Sequence, residues 1–230
     1  MVLIMIHDIT TIIINYKTPD LLRNCVESFR THYEQIPLLL IDNGSKDEST
    51  TYIRALAATS TNVRCLLNQR NLFHGPALDQ GIRYCPTPYI FLLDSDCLIL
   101  TTGFLEQMRQ LLQDREAYAV GRLQYKNHFG YDRPPGTVGA IPYIDPHAML
   151  LRKSMYLKLP PFVHHGAPCL QNMRRAQQQQ RPLIPFPIHH FVEHLRRGTC
   201  SRYGYGLGWR AGIIGWLHRH IFYGSVFLSA

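Results

Sequence analysis

The first half of the chain alternates between short, continuous apolar runs and longer segments whose apolar residues recur at helical spacing. The apolar runs cover residues 9–15, 37–42, 62–67 and 89–93, and they are rich in Ile, Leu and Val. Runs of this length without polar alternation are typical of strands that are buried on both faces, as in parallel sheets. The pattern therefore predicts an α/β fold with a mostly parallel central sheet flanked by helices.

A helical pattern follows each of these runs. The first helix has Thr18 as its capping residue and Pro19 in its first turn, and its apolar residues recur from Leu21 to Phe29. In the third helix, Gly81 is small enough to allow close packing against the sheet. The predicted helices begin near Pro19, Lys46, Gly75 and Gly103.

The regular alternation fades after residue 124. Residues 125–143 are rich in Gly, Pro, Tyr and His, which predicts a long loop. Residues 143–151 predict one more strand, which leads into a basic pair at positions 152 and 153. We therefore divide the single domain into an α/β half at residues 1–124 and an irregular, basic region at residues 125–230.

Charge is distributed unevenly along the chain. Residues 1–146 contain 13 Lys and Arg against 15 Asp and Glu, whereas residues 147–230 contain 11 Lys and Arg against the single acid Glu193. A basic region attracts phosphorylated ligands, anionic membrane surfaces or nucleic acid. We expect no nucleic-acid partner, because the basic residues are interleaved with stacking aromatics only locally, at residues 202–205.

The cysteines and the apolar segments bear on the location of the protein. The six Cys residues form no C-x-x-C pair, which favours a reduced, cytoplasmic chain. We expect no signal peptide, because residues 1–6 lack a basic flank, and no transmembrane helix, because no apolar span reaches 18 residues. The basic, aromatic tail at residues 203–230 could lie on an anionic bilayer at the inner face of the membrane, or it could pack back on the domain.

Polar residues follow three of the predicted strands, at the points where the strands leave the core. Asp94 and Asp96 end the most apolar run, while Asn15 and Asp42 end two others. The carboxyl ends of parallel strands share one edge, where open α/β sheets bind ligands. Two carboxylates one residue apart can bind a hard divalent cation such as Mg²⁺ or Mn²⁺. A solvated turn after the strand is the alternative interpretation.

Four segments together resemble the family 2 glycosyltransferases, which have the GT-A fold of nucleotide-diphospho-sugar transferases. These segments are Thr11–Pro19 (TIIINYKTP), Leu40–Asp47 (LIDNGSKD), Asn68–Gly81 (NQRNLFHGPALDQG) and Phe91–Asp96 (FLLDSD). Their order and spacing match the family, which makes the combination far more specific than a lone D-x-D motif. The resemblance implies a metal-dependent, inverting transfer of a sugar from a nucleotide-diphospho sugar, with a UDP-sugar favoured, to a hydroxyl of a glycan, lipid or protein acceptor.

The resemblance also implies roles for individual residues on the donor side. Asp42 would bind the nucleobase, or alternatively it would only stabilise the turn that follows it. The implied contacts with the nucleotide sugar are Asn15, Tyr16, Asp42, Asn71, Gly75, Asp79 and Asp94. The implied metal ligands are Asp94, Asp96 and His194, with Mn²⁺ or Mg²⁺ as the cofactor.

The acceptor side departs from the family, because the usual Glu-Asp pair that supplies the general base is missing. The corresponding residues are 162–168 (FVHHGAP). Three alternative bases remain: His165 of the His164–His165 pair, since His titrates near neutrality, and the carboxylates Asp145 and Glu193. The His pair could instead be solvated or structural.

Two other functions stay open. The missing Glu-Asp pair would also suit a catalytically inactive nucleotide-sugar-binding protein of the same fold. A sugar nucleotidyltransferase is the other alternative, although such enzymes usually carry a Gly-rich, basic phosphate loop after the first strand. Residues 15–18 (NYKT) lack those glycines.

Overall fold

A computed structural model describes residues 6–163, 166–196, 198 and 202. The chain divides into two compact units, residues 1–195 and 196–230, and the elements below belong to the first unit. The predicted base His165 and the predicted membrane-contacting tail at residues 203–230 lie outside the described residues. The division at residue 124 and the cytoplasmic location stay predictions.

Strands and helices alternate along the chain from β1 to β4. The strands are β1 (Ile9–Asn15), β2 (Leu38–Asp42), β3 (Val63–Leu67), β4 (Tyr89–Asp94), β5 (Cys97–Ile99), β6 (Ala119–Lys126), β7 (Ile141–Arg152), β8 (Leu183–Pro185) and β9 (Val192–His194). The helices are α1 (Pro19–His32), α2 (Glu48–Thr59), α3 (His74–Tyr84), α4 (Phe104–Asp114), α5 (Lys153–Tyr156) and α6 (Leu170–Gln178). The predicted alternation in the first half is therefore confirmed.

Seven strands form the central sheet, in the order β3-β2-β1-β4-β7-β6-β8. Strands β3, β2, β1 and β4 are parallel to one another, and β8 is parallel to β6. Strand β7 runs antiparallel to both of its neighbours, β4 and β6. The predicted mostly parallel sheet is confirmed. The remaining strands, β5 and β9, form a separate two-stranded sheet.

Strands β1, β2 and β4 are buried on both faces, which explains their continuous apolar runs. Ile13 and Phe91 belong to the core on one side of the sheet, whereas Ile12 and Leu92 belong to the core on the other. Helices α1, α2 and α4 contribute to the first core, and α3 and α6 contribute to the second. Full burial of each such side chain stabilises the fold by about 1.5–3 kcal/mol.

Helix α3 approaches the sheet closely, as the small residue at position 81 predicts. A Cβ atom at Gly81 would lie 2.8 Å from Cδ1 of Ile41 and 3.1 Å from Cδ1 of Ile12. An alanine here would require the side-chain ends of Ile41 and Ile12 to shift. This close approach sets the position of the amino end of α3 relative to the carboxyl edge of the sheet.

The sequence predicts a long loop at residues 125–143, and both of these predicted bounds are wrong. Strand β6 continues to Lys126, which pairs with Ile141 at the start of β7, so the connection shrinks to residues 127–140. This end of β6 is only partly buried, because the hairpin extends beyond the core. Its Tyr, Lys and Gln residues therefore give no apolar signal. No helix in the described part of the chain is both long and apolar enough to cross a membrane.

A buried hydrogen-bond network joins α6 to the sheet. The Tyr118 hydroxyl donates to Oδ1 of Asn172 at 2.6 Å, and Nδ2 of Asn172 donates to the Pro160 carbonyl at 2.7 Å. Tyr118 and Asn172 are both fully buried. If one partner is removed, the polar group that it contacted is left buried and without access to water.

We expect Asn172→Leu to lower the free energy of unfolding by about 2 kcal/mol, because it leaves the Tyr118 hydroxyl buried without a partner. Adding Tyr118→Phe removes that hydroxyl and should restore part of the loss, which urea unfolding of both single variants and the double variant can measure. Strictly additive effects of the two substitutions would contradict this account.

Candidate active site

The ends of β1, β2 and β4 lie side by side at the carboxyl edge of the sheet. In the strand register, Asn15 pairs with Asp42, and Ile14 pairs with Asp94. The common edge predicted for these polar residues is therefore confirmed. It is the edge at which parallel α/β sheets hold ligands.

Buried side chains cross-link the three loops that leave this edge. Nδ2 of Asn15 donates to Oγ of Ser45 at 3.3 Å, and the Thr18 hydroxyl donates to Oδ1 of Asn15 at 2.8 Å. The Thr18 hydroxyl also lies 3.4 Å from Oγ of Ser95, which separates Asp94 from Asp96. Asn15 thus fixes the loops relative to one another, and its predicted nucleoside contact stays a prediction, as does that of the half-buried Tyr16.

The Asp42 carboxylate makes the turn-stabilising contacts that the alternative interpretation requires. One oxygen accepts a hydrogen bond from the backbone N–H of Ser45 at 3.3 Å, and the other accepts one from the Thr50 hydroxyl at 2.7 Å. The residue is 2% exposed. Its contact with a nucleobase stays a prediction.

The predicted contacts from the loop before α3 also have partners within the protein. Oδ1 of Asn71 accepts hydrogen bonds from Nδ2 of Asn43 at 2.9 Å and from the backbone N–H of Phe73 at 2.7 Å. A Cβ atom at Gly75 would collide with the backbone carbonyl of Val163, so this position requires glycine. Asn71 and Gly75 therefore stabilise the loop before α3 and the first turn of that helix.

Asp79, on α3, contacts a residue of α5 in the second half of the chain. Its Oδ1 accepts a hydrogen bond from the Tyr156 hydroxyl at 2.6 Å, and both of its oxygens lie 3.0 Å from Nε of Arg83. These contacts tie α3 to α5. Direct contacts of Asn71, Gly75 and Asp79 with a nucleotide sugar stay predictions.

Each carboxylate of the D-x-D motif lies beside an imidazole. Oδ1 of Asp94 is 3.5 Å from Nε2 of His74, the first residue of α3, and Oδ1 of Asp96 is 3.3 Å from Nε2 of His194. Burial raises the pKa of the Asp94 carboxyl, and the charge of Asp96 adds to this effect, while His74 opposes it. A cation between the two carboxylates would relieve the same unfavourable charge.

The short sheet of β5 and β9 places His194 beside the D-x-D motif. His194 pairs with Cys97, and the backbone N–H of Leu195 donates to the Asp96 carbonyl at 2.9 Å. Asp96, Cys97 and His194 each offer one ligand atom within 4.8 Å of the others. Burial raises the pKa of the Cys97 thiol well above its ordinary value, and its Sγ donates a hydrogen bond to the His147 carbonyl at 3.5 Å. Asp96 and His194, with Asp94 beside them, are a donor set that fits Mn²⁺ or Mg²⁺.

A second carboxylate–imidazole pair extends the cluster towards β7. Nδ1 of His147 lies 3.2 Å from Oδ1 of Asp145, and the His147 ring stacks on the His194 ring with centroids 4.7 Å apart and planes 9° apart. Burial alone would raise the pKa of Asp145, but hydrogen bonding to His147 and its charge outweigh burial and hold the pKa at about 2. Asp145 is thus an ionised carboxylate next to the D-x-D motif.

The third base candidate lies elsewhere. Glu193 precedes His194 on β9, so its side chain leaves the strand on the opposite face, and it is exposed. The geometry gives no support to Glu193 as the general base. The structure instead adds His74 and His147, which the sequence interpretation missed. The i, i+2 spacing of Asp145 and His147 within a predicted strand could have indicated a shared face, whereas His74 had no comparable signal.

The contact between His194 and Asp96 should make the metal-free protein less stable as the pH rises. Burial alone would lower the pKa of His194, but its hydrogen bond with Asp96 and the nearby carboxylate charges outweigh burial and raise the pKa above 6.5. This stabilisation is fully present below pH 6.5 and is lost as the pH rises through the folded-state pKa.

We expect Asp96→Asn to remove this part of the pH dependence. Urea unfolding of both proteins from about pH 5 to pH 9 measures the difference in slope. The same slope in the variant and the unsubstituted protein would show that the pair does not stabilise the fold.

The fold and parts of the sequence are similar to known glycosyltransferases. The mannosyltransferase PcManGT of Pyrobaculum calidifontis, solved with GDP-Man and Mn²⁺, superposes with a TM-score of 0.61 at 15% identity, covering 78% of this chain and 55% of that protein. Residues 1–349 of TarS of S. aureus, solved with UDP-GlcNAc, superpose with a TM-score of 0.59 at 12% identity, covering 81% and 60% of the two chains. These likenesses confirm the predicted GT-A fold.

Two curated relatives match over shorter segments. Glycosyltransferase GlyG of Streptococcus pneumoniae serotype 4 is 28% identical over 129 residues, which cover 56% of this chain and 41% of GlyG. The uncharacterized glycosyltransferase YibD of Escherichia coli K12 is 29% identical over 109 residues, which cover 47% of this chain and 31% of YibD. The match thus spans less than half the length of either relative. Because residues 10–180 match the model of glycosyl transferase family 2, the chain belongs to that family.

Proposed function

We propose that the protein transfers a sugar from a nucleotide-diphospho sugar to an acceptor hydroxyl, with a divalent cation bound at the D-x-D motif. The observation that carries this proposal is the meeting of Asp94, Asp96 and His194 at the carboxyl edge of the sheet in a member of family 2, with Asp96 and His194 3.3 Å apart. The family membership supports the reaction, and the donor set supports the cation.

The structural neighbours support the class of donor. One was solved with GDP-Man and Mn²⁺ and the other with UDP-GlcNAc, so proteins of this fold hold nucleotide-diphospho sugars of both kinds. The sequence resemblance favours a UDP-sugar for this chain. A comparison of UDP with GDP is therefore part of any test of the donor site.

Asp94 and Asp96 would hold the cation from one side, and His194 would complete the protein ligands. Such an ion neutralises the charge that develops on the nucleotide diphosphate as it leaves, without any proton transfer. The two carboxylates would hold this cation at a partly shielded edge of the sheet. Asp96 is the more buried of the two, with its side chain 7% exposed against 26% for Asp94.

Asp145 is the base candidate that the geometry favours. It is held by His147 beside the metal-side cluster, and its side chain is 32% exposed, so an acceptor can reach it. A pKa of about 2 keeps the carboxylate ionised but makes it a weak base. It would therefore take the proton late, once the forming bond to the sugar has made the acceptor hydroxyl acidic.

One observation favours a second candidate function. Residues 162–168 carry no acid where the family usually has its Glu-Asp pair. A protein that binds the donor without transferring the sugar would need no base at all. Binding and turnover must therefore be measured separately.

We expect Asp96→Asn to weaken Mn²⁺-dependent binding of the nucleotide by at least about tenfold, because even outer-shell changes at metal sites cost that much. Calorimetric titration of UDP and GDP with and without Mn²⁺ measures this, with Asp132→Asn in the exposed β6–β7 connection as the matched control. Unchanged metal dependence in Asp96→Asn would contradict the assignment of the site.

We expect Asp145→Asn to lower kcat by about 10²–10⁴-fold while leaving donor affinity almost unchanged, because a general base acts only on the acceptor proton. Glu193→Gln, on the opposite face of β9, serves as the control. Turnover with an acceptor panel and calorimetric donor binding separate the two effects. An unsubstituted protein that binds donor but shows no turnover would favour the inactive binder.

A further inference from the structure

Like Asp96, whose side chain is 7% exposed, His147 is one of the deeply buried members of the cluster. Its side chain is 5% exposed, whereas those of Asp94, Asp145 and His194 are 26%, 32% and 27% exposed. Burying the polar atoms of an imidazole costs free energy unless they have hydrogen-bonding or charged partners. The ring stacks on His194, and the buried Nδ1 atom lies 3.2 Å from Oδ1 of Asp145 without well-aligned hydrogen-bond geometry.

The two contacts of His147 point to different sides of the proposed reaction. Nδ1 lies 3.2 Å from Oδ1 of Asp145, the base candidate, and the ring lies flat against His194, the metal-ligand candidate. The carboxylates that His194 and His147 meet come from different segments, Asp96 from the turn between β4 and β5 and Asp145 from β7. His147 is therefore the link between the donor-side and acceptor-side groups.

The backbones of His147 and His194 belong to different sheets. His147 immediately precedes the part of β7 that pairs with β4 in the central sheet, and its carbonyl accepts a hydrogen bond from Sγ of Cys97 at 3.5 Å. His194, by contrast, ends a three-residue strand in the two-stranded sheet. A short strand of this kind gives little rigidity by itself, so the flat ring of His147 restricts the rotation of the His194 ring.

His147 is badly oriented to bind the same cation as His194. An imidazole binds a metal through the lone pair that lies in the plane of its ring. The two ring planes are 9° apart with centroids separated by 4.7 Å, so an ion in the plane of His194 lies out of the plane of His147. This geometry fits a supporting role and not a direct ligand.

We propose that His147 is a positioning residue that orients His194 through ring stacking and orients Asp145 through its Nδ1 atom. This inference rests on the proposed function and deepens it, because it makes the geometry of the base and the geometry of the metal site depend on one side chain. Groups that orient metal ligands typically affect metal affinity by about 10–100-fold.

Two substitutions of similar size separate the two contacts. His147→Phe keeps a flat ring against His194 but has no polar atom for Asp145. His147→Asn keeps an amide near the position of Nδ1 but has no ring. His189→Ala, an exposed His outside the cluster, is the control for losing an imidazole.

The first readout needs no metal. The ring protons of His194 in the metal-free protein should be shifted by the current of the stacked ring, which NMR detects. We expect His147→Phe to keep a ring-current shift and His147→Asn to lose it. Urea unfolding of each variant checks that the fold is intact.

The second readout is Mn²⁺ binding in the presence of UDP or GDP, followed by electron paramagnetic resonance, together with steady-state turnover. We expect His147→Asn to bind Mn²⁺ about 10–100-fold more weakly. We expect His147→Phe to bind it almost normally but to show a lower kcat, because Asp145 loses its partner.

The outcomes distinguish this inference from the proposed function. An unsubstituted protein that binds no Mn²⁺ with either nucleotide overturns the proposed function, and the His194 ring-proton shifts then still decide whether His147 orients that ring. If the unsubstituted protein binds Mn²⁺ and both variants bind it equally well, or if both lose affinity equally, the positioning role is wrong.

Discussion

The structure depends on the close approach of two carboxylates at the end of a buried strand. An uncompensated buried charge costs several kcal/mol, and two like charges add to that cost. Here each carboxylate has its own imidazole, His74 for Asp94 and His194 for Asp96. These imidazoles come from the first residue of α3 and from the last residue of β9. The compensation of the two carboxylates therefore depends on the central sheet, the start of α3 and the small β5–β9 sheet together.

The electrostatics of the cluster suit the arrival of positive charge. The pKa of Asp94 is raised by burial, and the carboxylates raise the pKa of His194, so both groups favour gaining a proton. A divalent cation satisfies the same demand more strongly and would free His194 to act as a neutral ligand. Asp145 behaves differently, because His147 holds its pKa low and keeps it ionised. Burial thus raises the pKa of Asp94, whereas the contacts with His147 lower the pKa of Asp145.

The sequence predicts the sheet well because strands β1, β2 and β4 are buried on both faces. Neighbours such as Ile12 and Ile13 belong to opposite cores, so polar residues are excluded along the whole strand and the run is unmistakable. The position of Asp94 and Asp96 follows directly from that. By contrast, β5 and β9 have three residues each, too few for any periodicity, and the partners of His194 are distant in sequence. The internal hydrogen bonds of Asn15 and Asp42 are equally invisible to a pattern, because a polar side chain at a sheet edge looks the same whether it meets a ligand or a loop.

The acceptor side shows how this chain departs from its family. The segment that usually supplies the base has no acid, yet a carboxylate and an imidazole stand two residues apart on β7 and meet each other at 3.2 Å. Asp145 and His147 lie in residues 145–147 of β7, which have no register partner in β4 or β6 but are flanked on both sides by paired residues. The same placement brings the His147 ring against the His194 ring, with centroids 4.7 Å apart. If His194 binds the cation and Asp145 is the base, as we propose, His147 contacts one group on each side of the reaction, and a substitution that moves its ring would affect both.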